Sequence, residues 1–279
     1  MKRFWLCLIV CLLMAASASA ENVVCLYGSF AEAWLHAGGE LAGVTDDAVT
    51  ERGLETGAQI IGTTKTPNLE LILSLDPDWV ILSEDIAGQV SAMEVLTHSG
   101  VACTAFRVDS YQDYAAMMDV FTGRTGRRDV YENEVLPMVA QIEAIIEKAR
   151  AKDAPEVLLL RAFSTGAKAK GADNLAGVML RDLGCVNLAD KQPSLLEELS
   201  LESIVVEDPD WILISVMGSD EAAALAALDA SLGQNPAFQA LTAVREGRMT
   251  VLPKDLFHYK PNIRWSESYA YLYELLYED

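Results

Sequence analysis

Short runs of unbroken apolar residues alternate with amphipathic stretches along most of this chain. Trp79-Val80-Ile81-Leu82 and Trp211-Ile212-Leu213-Ile214 are apolar at every position, the pattern of strands buried on both faces of a parallel sheet. Further strands are predicted at 22–27, 104–108, 157–161 and 249–252. Helical periodicity lies between them, at 30–37, 111–122, 175–183 and 222–228. Strand and helix in alternation predict an α/β fold. Midway, from Arg127 to Ala151, the residues Val135, Val139, Ile142, Ile146 and Ala149 recur at spacings of four and three. That is the stripe of a helix, about 37 Å long at 1.5 Å per residue, lying against an apolar surface. Pro137 interrupts it, so the helix is expected either to kink there or to begin nearby.

The chain also repeats itself. Leu69, Glu70, Ile72, Asp76, Pro77, Asp78 and Trp79 recur 132 positions later as Leu201, Glu202, Ile204, Asp208, Pro209, Asp210 and Trp211. Each copy reads as a short helix stopped by Asp-Pro and followed by a buried strand, half of a βαβ unit. The predicted architecture is therefore two related α/β lobes of parallel-sheet βα units, at 21–126 and 153–279, joined by a long bridging helix over 127–152.

The amino terminus bears on destination. Lys2 and Arg3 precede an apolar run from Phe4 to Met14, and Ala15 to Ala20 supply the small residues of a cleavage site. Residues 1–20 are read as an export signal, too short in its apolar part to span a bilayer. With 21 basic and 41 acidic residues the formal charge is −20; loss of the leader leaves 19 basic residues and −22. Such a surface repels phosphate backbones and anionic headgroups, which disfavours nucleic acid and peripheral membrane partners. Cys7 and Cys11 leave with the leader, and Cys25, Cys103 and Cys185, beside apolar neighbours, are expected in the core.

Catalytic signatures are scarce. There is no Gly-x-Ser-x-Gly elbow, no His-Glu-x-x-His, and no Gly-x-Gly-x-x-Gly after a strand. Gly166 to Gly171 has the glycine spacing of a phosphate loop but continues as Ala172-Asp173. Ser29 follows the first strand without a second glycine or an evident histidine partner, so a hydrolase is a remote alternative. His36, His98 and His258 are the only histidines, too few and too scattered for a site of several imidazoles. An enzyme is not expected.

An export signal, two lobes, a connecting helix and the paired Leu-Glu-x-Ile…Asp-Pro-Asp segments together resemble the iron-complex/cobalamin class of ABC-transporter substrate-binding proteins. Gly28-Ser29-Phe30-Ala31-Glu32, Leu41-Ala42-Gly43-Val44-Thr45 and Asn235-Pro236-Ala237-Phe238 add to the likeness, which covers essentially the whole mature chain. The resemblance implies a class III periplasmic-binding-protein fold and a periplasmic or otherwise extracytoplasmic location. It implies a small-molecule metal chelate as ligand, a ferric siderophore or haem, with cobalamin as the alternative, and no resident cofactor. It further implies that a single copy delivers this ligand to an ABC permease dimer and its ATPase, with Glu70 and Glu202 as the carboxylates that dock on permease arginines.

Ligands of doubly wound lobes bind outside the carboxyl ends of the strands. That rule selects Gly28-Ser29-Phe30, Ser83-Glu84-Asp85 and Arg107 to Tyr111 in the first lobe, and Arg161 to Ser164 with Phe163, Met217-Gly218-Ser219 and Leu256 to Arg264 in the second. Phe257-His258-Tyr259-Lys260-Pro261-Asn262-Ile263-Arg264-Trp265 compresses aromatic, imidazole and cationic groups into one segment. His258 or Tyr259 is a candidate axial ligand to iron, and Arg264 a partner for a chelator oxygen. Arg161, Lys168, Lys170, Lys254, Lys260 and Arg264 place the cations of the second lobe on or near such loops.

Overall fold

The computed structural model describes residues 21–218 and 220–278; the proposed leader lies outside them. The first sheet is wholly parallel. Its strands β1 (Val23–Cys25), β2 (Gly43–Val44), β3 (Gln59–Ile60), β4 (Trp79–Ser83) and β5 (Cys103–Phe106) run in the order β3-β2-β1-β4-β5. The second sheet holds β6 (Glu156–Phe163), β7 (Gly166–Ala169), β8 (Val186–Asn187), β9 (Trp211–Val216) and β10 (Met249–Val251), in the order β10-β9-β6-β7 with β8 also on β6. Here the expectation of parallel strands needs one correction. β7 runs antiparallel to β6, because Gly166 turns the chain straight back at φ 146°. The glycines resembling a phosphate loop therefore bound an edge strand.

The repeat has a structural meaning at almost every matched position. The helices Leu69–Ser74 and Leu201–Glu207 are capped by Asn68, which accepts from the Glu70 and Leu71 amides, and by Ser200, which accepts from the Ser203 amide. Asp76 and Asp208 take the left-handed conformation, φ 48° and 42°, where the chain leaves each helix. Asp78 then accepts from the Asn22 amide and Asp210 from the Glu156 amide, both at 2.9 Å, so each carboxylate caps the central strand beside it. Trp79 pairs in register with Val23, and Trp211 with Val157.

Between the sheets the chain is helical from Arg128 to Arg150. As the second of the two alternatives has it, an α-helix begins beside Pro137: Leu136–Arg150 carries the proline in its first turn, and one π turn, Tyr131–Val135, joins it to the helical turn Arg128–Val130 before it. The missing amide is thereby absorbed where the helical hydrogen-bond pattern already widens. Val135, Ile142, Ile146 and Ala149 are buried, in a hydrophobic cluster that also holds Phe121 of the first lobe, Leu159 of the second, and Tyr269 of the final helix, Trp265–Tyr277. Tyr111 and Tyr269 meet edge to face at 5.6 Å within it. Cys25 is fully buried and Cys103 and Cys185 half-buried, all three unpaired. No described helix is long and apolar enough to cross a membrane.

Candidate functional site

The carboxyl ends of β1, β4 and β6 open toward a cleft between the sheets. A cavity of about 250 Å³ there is lined by Tyr27, Ser83, Asp85 and Asp109 on one side and by Arg161, Asp173, His258 and Lys260 on the other. Tyr27, Asp85 and Ile86 also border a larger groove of about 660 Å³, which continues over Asp46, Glu51 and Thr63 to Lys65.

Arg161 is the dominant group. It stands in β6 after Leu158, Leu159 and Leu160, and burial pushes its guanidinium down from the ordinary value, with Asp173 the carboxylate that offsets this in part. Its Nε has no hydrogen-bond partner among the described residues. A cation taken from water and left unsatisfied by its own protein is poised for an anionic ligand. His258 lines the same cavity. Burial, reinforced by Lys254 and Arg161, pushes its imidazole down to about 4, so it is neutral at physiological pH. Its Nδ1 also lacks a partner among the described residues.

The remaining cations are committed elsewhere. Lys254 donates to the Gly218 carbonyl, Lys170 pairs with Asp173 at 3.0 Å, and Lys168 is exposed on the edge strand. Arg264 is held by Asp255 at 2.6 Å and Glu267 at 2.9 Å, which raises its pKa, and it lines a hollow with Arg52 and Tyr259 rather than the cleft cavity. Lys260 reaches across the cleft to the Val108 carbonyl and to Asp109 at 3.3 Å.

Other expectations are corrected by burial. Ser29 is 2% and Phe30 1% exposed. Phe30 packs edge to face on Tyr27 and Phe106, and the Ser29 carbonyl accepts from Asn262, so neither residue faces the cleft. Tyr27, just ahead of them, takes that position. Phe163 pairs with Gly166 across the hairpin, and Met217 extends beyond β9 half exposed; neither lines the cleft cavity or its adjoining groove. Tyr259 meets His258 edge to face with centroids 5.0 Å apart but faces a different hollow, shared with Arg52, Asn262 and Arg264. His258 and Tyr259 therefore do not converge on one metal position.

The segment carrying His258 and Tyr259 is fastened to the first lobe. Asn262, 4% exposed and left-handed at φ 53°, donates to the Ser29 carbonyl at 2.8 Å and to Glu32 at 2.6 Å. Glu32 also holds Arg52, whose guanidinium lies 5.8 Å from the Tyr259 ring. Gly28 lets the chain pass close beneath: a Cβ there would lie 2.8 Å from the Ala48 nitrogen, and the Gly28 amide donates to Asp47 at 2.7 Å.

Glu70 and Glu202 lie far in character from this cleft. Both are exposed at the second position of their helices, and neither forms an ion pair among the described residues.

Two α/β lobes, a long helix between them and a cleft at the strand ends define a class III binding protein, and residues 23–256 match the periplasmic binding protein family, to which this chain belongs. Among solved structures it is similar to an ABC transporter substrate-binding protein from Listeria monocytogenes EGD-e, at 16% identity and a TM-score of 0.75, over 94% of this chain and 100% of that one. It is likewise similar to the periplasmic heme-binding protein RhuT from Roseiflexus sp. RS-1, at 22% identity, TM-score 0.73, over 93% of this chain and 99% of that one. Staphylococcus aureus SirA complexed with staphyloferrin B matches at 20% identity, TM-score 0.68, over 93% and 94% of the two chains. No curated protein matches it in sequence.

Proposed function

We propose that this chain is the exported substrate-binding component of an ABC importer and that it holds an iron complex, a ferric siderophore or haem, between its lobes for delivery to a permease. The observation that carries the reading is Arg161: a half-buried guanidinium whose Nε has no partner among the described residues, in a cavity bordered by both lobes. Its chemistry suits the carboxylate or catecholate oxygens of a chelate or a haem propionate. The adjoining groove gives room for the body of such a ligand. Among the described residues no group of three or more His, Cys, Asp or Glu is placed to hold a metal ion, so the iron is taken as arriving within its chelator. Similar folds whose solved structures are heme-binding or carry staphyloferrin B support the same ligand class.

In this reading residues 1–20 direct export, the lobes span 21–126 and 153–279, and the helix over 127–152 joins them. Glu70 and Glu202 dock on cations of the two permease halves, one from each lobe. Titration of the mature protein with ferric carboxylate, catecholate and hydroxamate siderophores, haemin and cobalamin tests it, followed by tryptophan quenching and by the Soret band. Saturable one-to-one binding of an iron complex supports the proposal. Failure of every iron complex, or binding of cobalamin alone, contradicts it.

A further inference from the structure

Six of the seven residues matched between the repeats have work to do inside their own lobe. Leu69 and Leu201 pack against the cores, Ile72 and Ile204 are fully buried, and Pro77 and Pro209 are buried where the helices end. The first aspartate of each copy shapes the chain as it leaves the helix, the second caps the neighbouring central strand, and each tryptophan starts a strand. Glu70 and Glu202 are the one matched pair that is exposed and without a side-chain partner in both copies among the described residues; Asp76 is likewise exposed and unpartnered, but its counterpart Asp208 accepts from Thr242.

One turn further along each helix the surfaces agree again. Leu73 and Val205 occupy the same repeat position, and both are exposed, at 40% and 38%. In the second lobe Val206 adds the most exposed large aliphatic side chain among the described residues, at 76%; its counterpart in the first lobe is Ser74. Residues three and four positions apart are neighbours on a helix surface, so each carboxylate has an aliphatic group beside it. Single exposed aliphatics need no explanation. Two at equivalent positions, each beside an equivalent carboxylate unpaired among the described residues, form a feature that the internal repeat places once in each lobe.

We propose that each lobe docks through a two-part patch, Glu70 with Leu73 and Glu202 with Val205 and Val206, on the two-fold permease of the importer, each half of which presents a cation beside an apolar recess. The inference rests on the reading of the two glutamates as docking residues. An exposed cation–carboxylate contact alone contributes little in water. An aliphatic group buried beside it excludes solvent and strengthens the pair, as the surround of an interface hot spot does. Because Val206 replaces Ser74, the second lobe contributes more of the docking energy.

The test uses the ABC permease and ATPase of the importer that this protein serves, reconstituted in nanodiscs, with ATPase stimulation measured against the concentration of mature binding protein. Val206→Ser is expected to raise the half-maximal concentration about tenfold, the equivalent of one buried aliphatic side chain. Leu73→Ser with Val205→Ser raises it further, and Ser74→Val lowers it. Ligand affinity and melting temperature stay those of the parent in all three. If Glu70→Lys with Glu202→Lys abolishes stimulation while the aliphatic variants behave as the parent, the two-part patch is wrong and the docking glutamates stand. If the double charge reversal leaves stimulation intact, the docking reading itself fails, and this inference with it.

Discussion

In the proposed function Arg161 carries the chemistry of the cleft, because its Nε has no partner among the described residues and Asp173 offsets its burial only in part. The remaining desolvation is a cost to the folded state that a ligand anion would return. Arg161→Gln is therefore expected to weaken binding of the cognate iron complex by about 10- to 100-fold, the range of one charge-assisted hydrogen bond, while leaving the melting temperature equal or higher. Calorimetric titration with parallel thermal melts checks both; an unchanged affinity removes Arg161 from the site. His258 gives a pH signature. Burial holds its imidazole near 4 in the folded protein against 6.5 ordinarily, so as pH falls the unfolded chain binds the proton first. The stability this contributes is fully present above about pH 6.5 and is lost progressively from there to about pH 4. His258→Gln should flatten the melting-temperature profile across that window, and a slope identical to the parent's contradicts the assignment.

At the scale of elements, the segment from His258 to Arg264 is where two lobes become one site. Asn262 does two jobs there, accepting a left-handed backbone and bridging to Ser29 and Glu32 of the first lobe. Asn262→Ala is expected to cost about 2–4 kcal/mol, combining backbone strain with the loss of two buried hydrogen bonds. Asn262→Gly retains the backbone freedom and should recover about 1 kcal/mol of that. Urea denaturation separates the two, and equal losses for Ala and Gly would show that the conformation of residue 262 costs nothing.

This segment also shows what a sequence reveals and what it hides. Arg161 stands out in the sequence as a charge closing an apolar run, and the structure puts it in the lining of the cleft cavity. The repeat was legible because the same capping and strand-starting residues solve the same problem in both lobes. Arg264 misled: its pairing with Glu267, one helical turn on, was visible as spacing, but Asp255 is brought in only by the fold. Ser29 and Phe30 misled because the end of a two-layer strand is also the start of a helix, and the first turn of that helix points into the core. Tyr27 read as strand, since an aromatic ring facing a cleft has the same hydrophobicity as one in the core. The two-residue strands β2 and β3 carry no periodicity at all; their pairing with the central sheet is a tertiary fact.

Across the whole molecule, the lobes are joined by more than the bridging helix. The final helix packs into the same hydrophobic cluster, and Lys260 and Asn262 add fastenings across the cleft. Small-angle scattering of free and ligand-loaded protein should therefore show nearly the same radius of gyration, and a large contraction would contradict this. The excess of acidic residues acquires a pattern as well, with the exposed carboxylates of Glu70 and Glu202 free of ion pairs among the described residues and the half-buried Arg161 lining the cleft with its Nε unpartnered among them. Both features accord with the proposed function.

The most direct test is equilibrium binding of iron complexes to the mature protein and to its Arg161→Gln variant. The account predicts that one ferric siderophore or haemin binds the parent one to one, and that the variant loses most of that affinity without losing its fold. Absence of binding by every iron complex, or binding indifferent to Arg161, would contradict it.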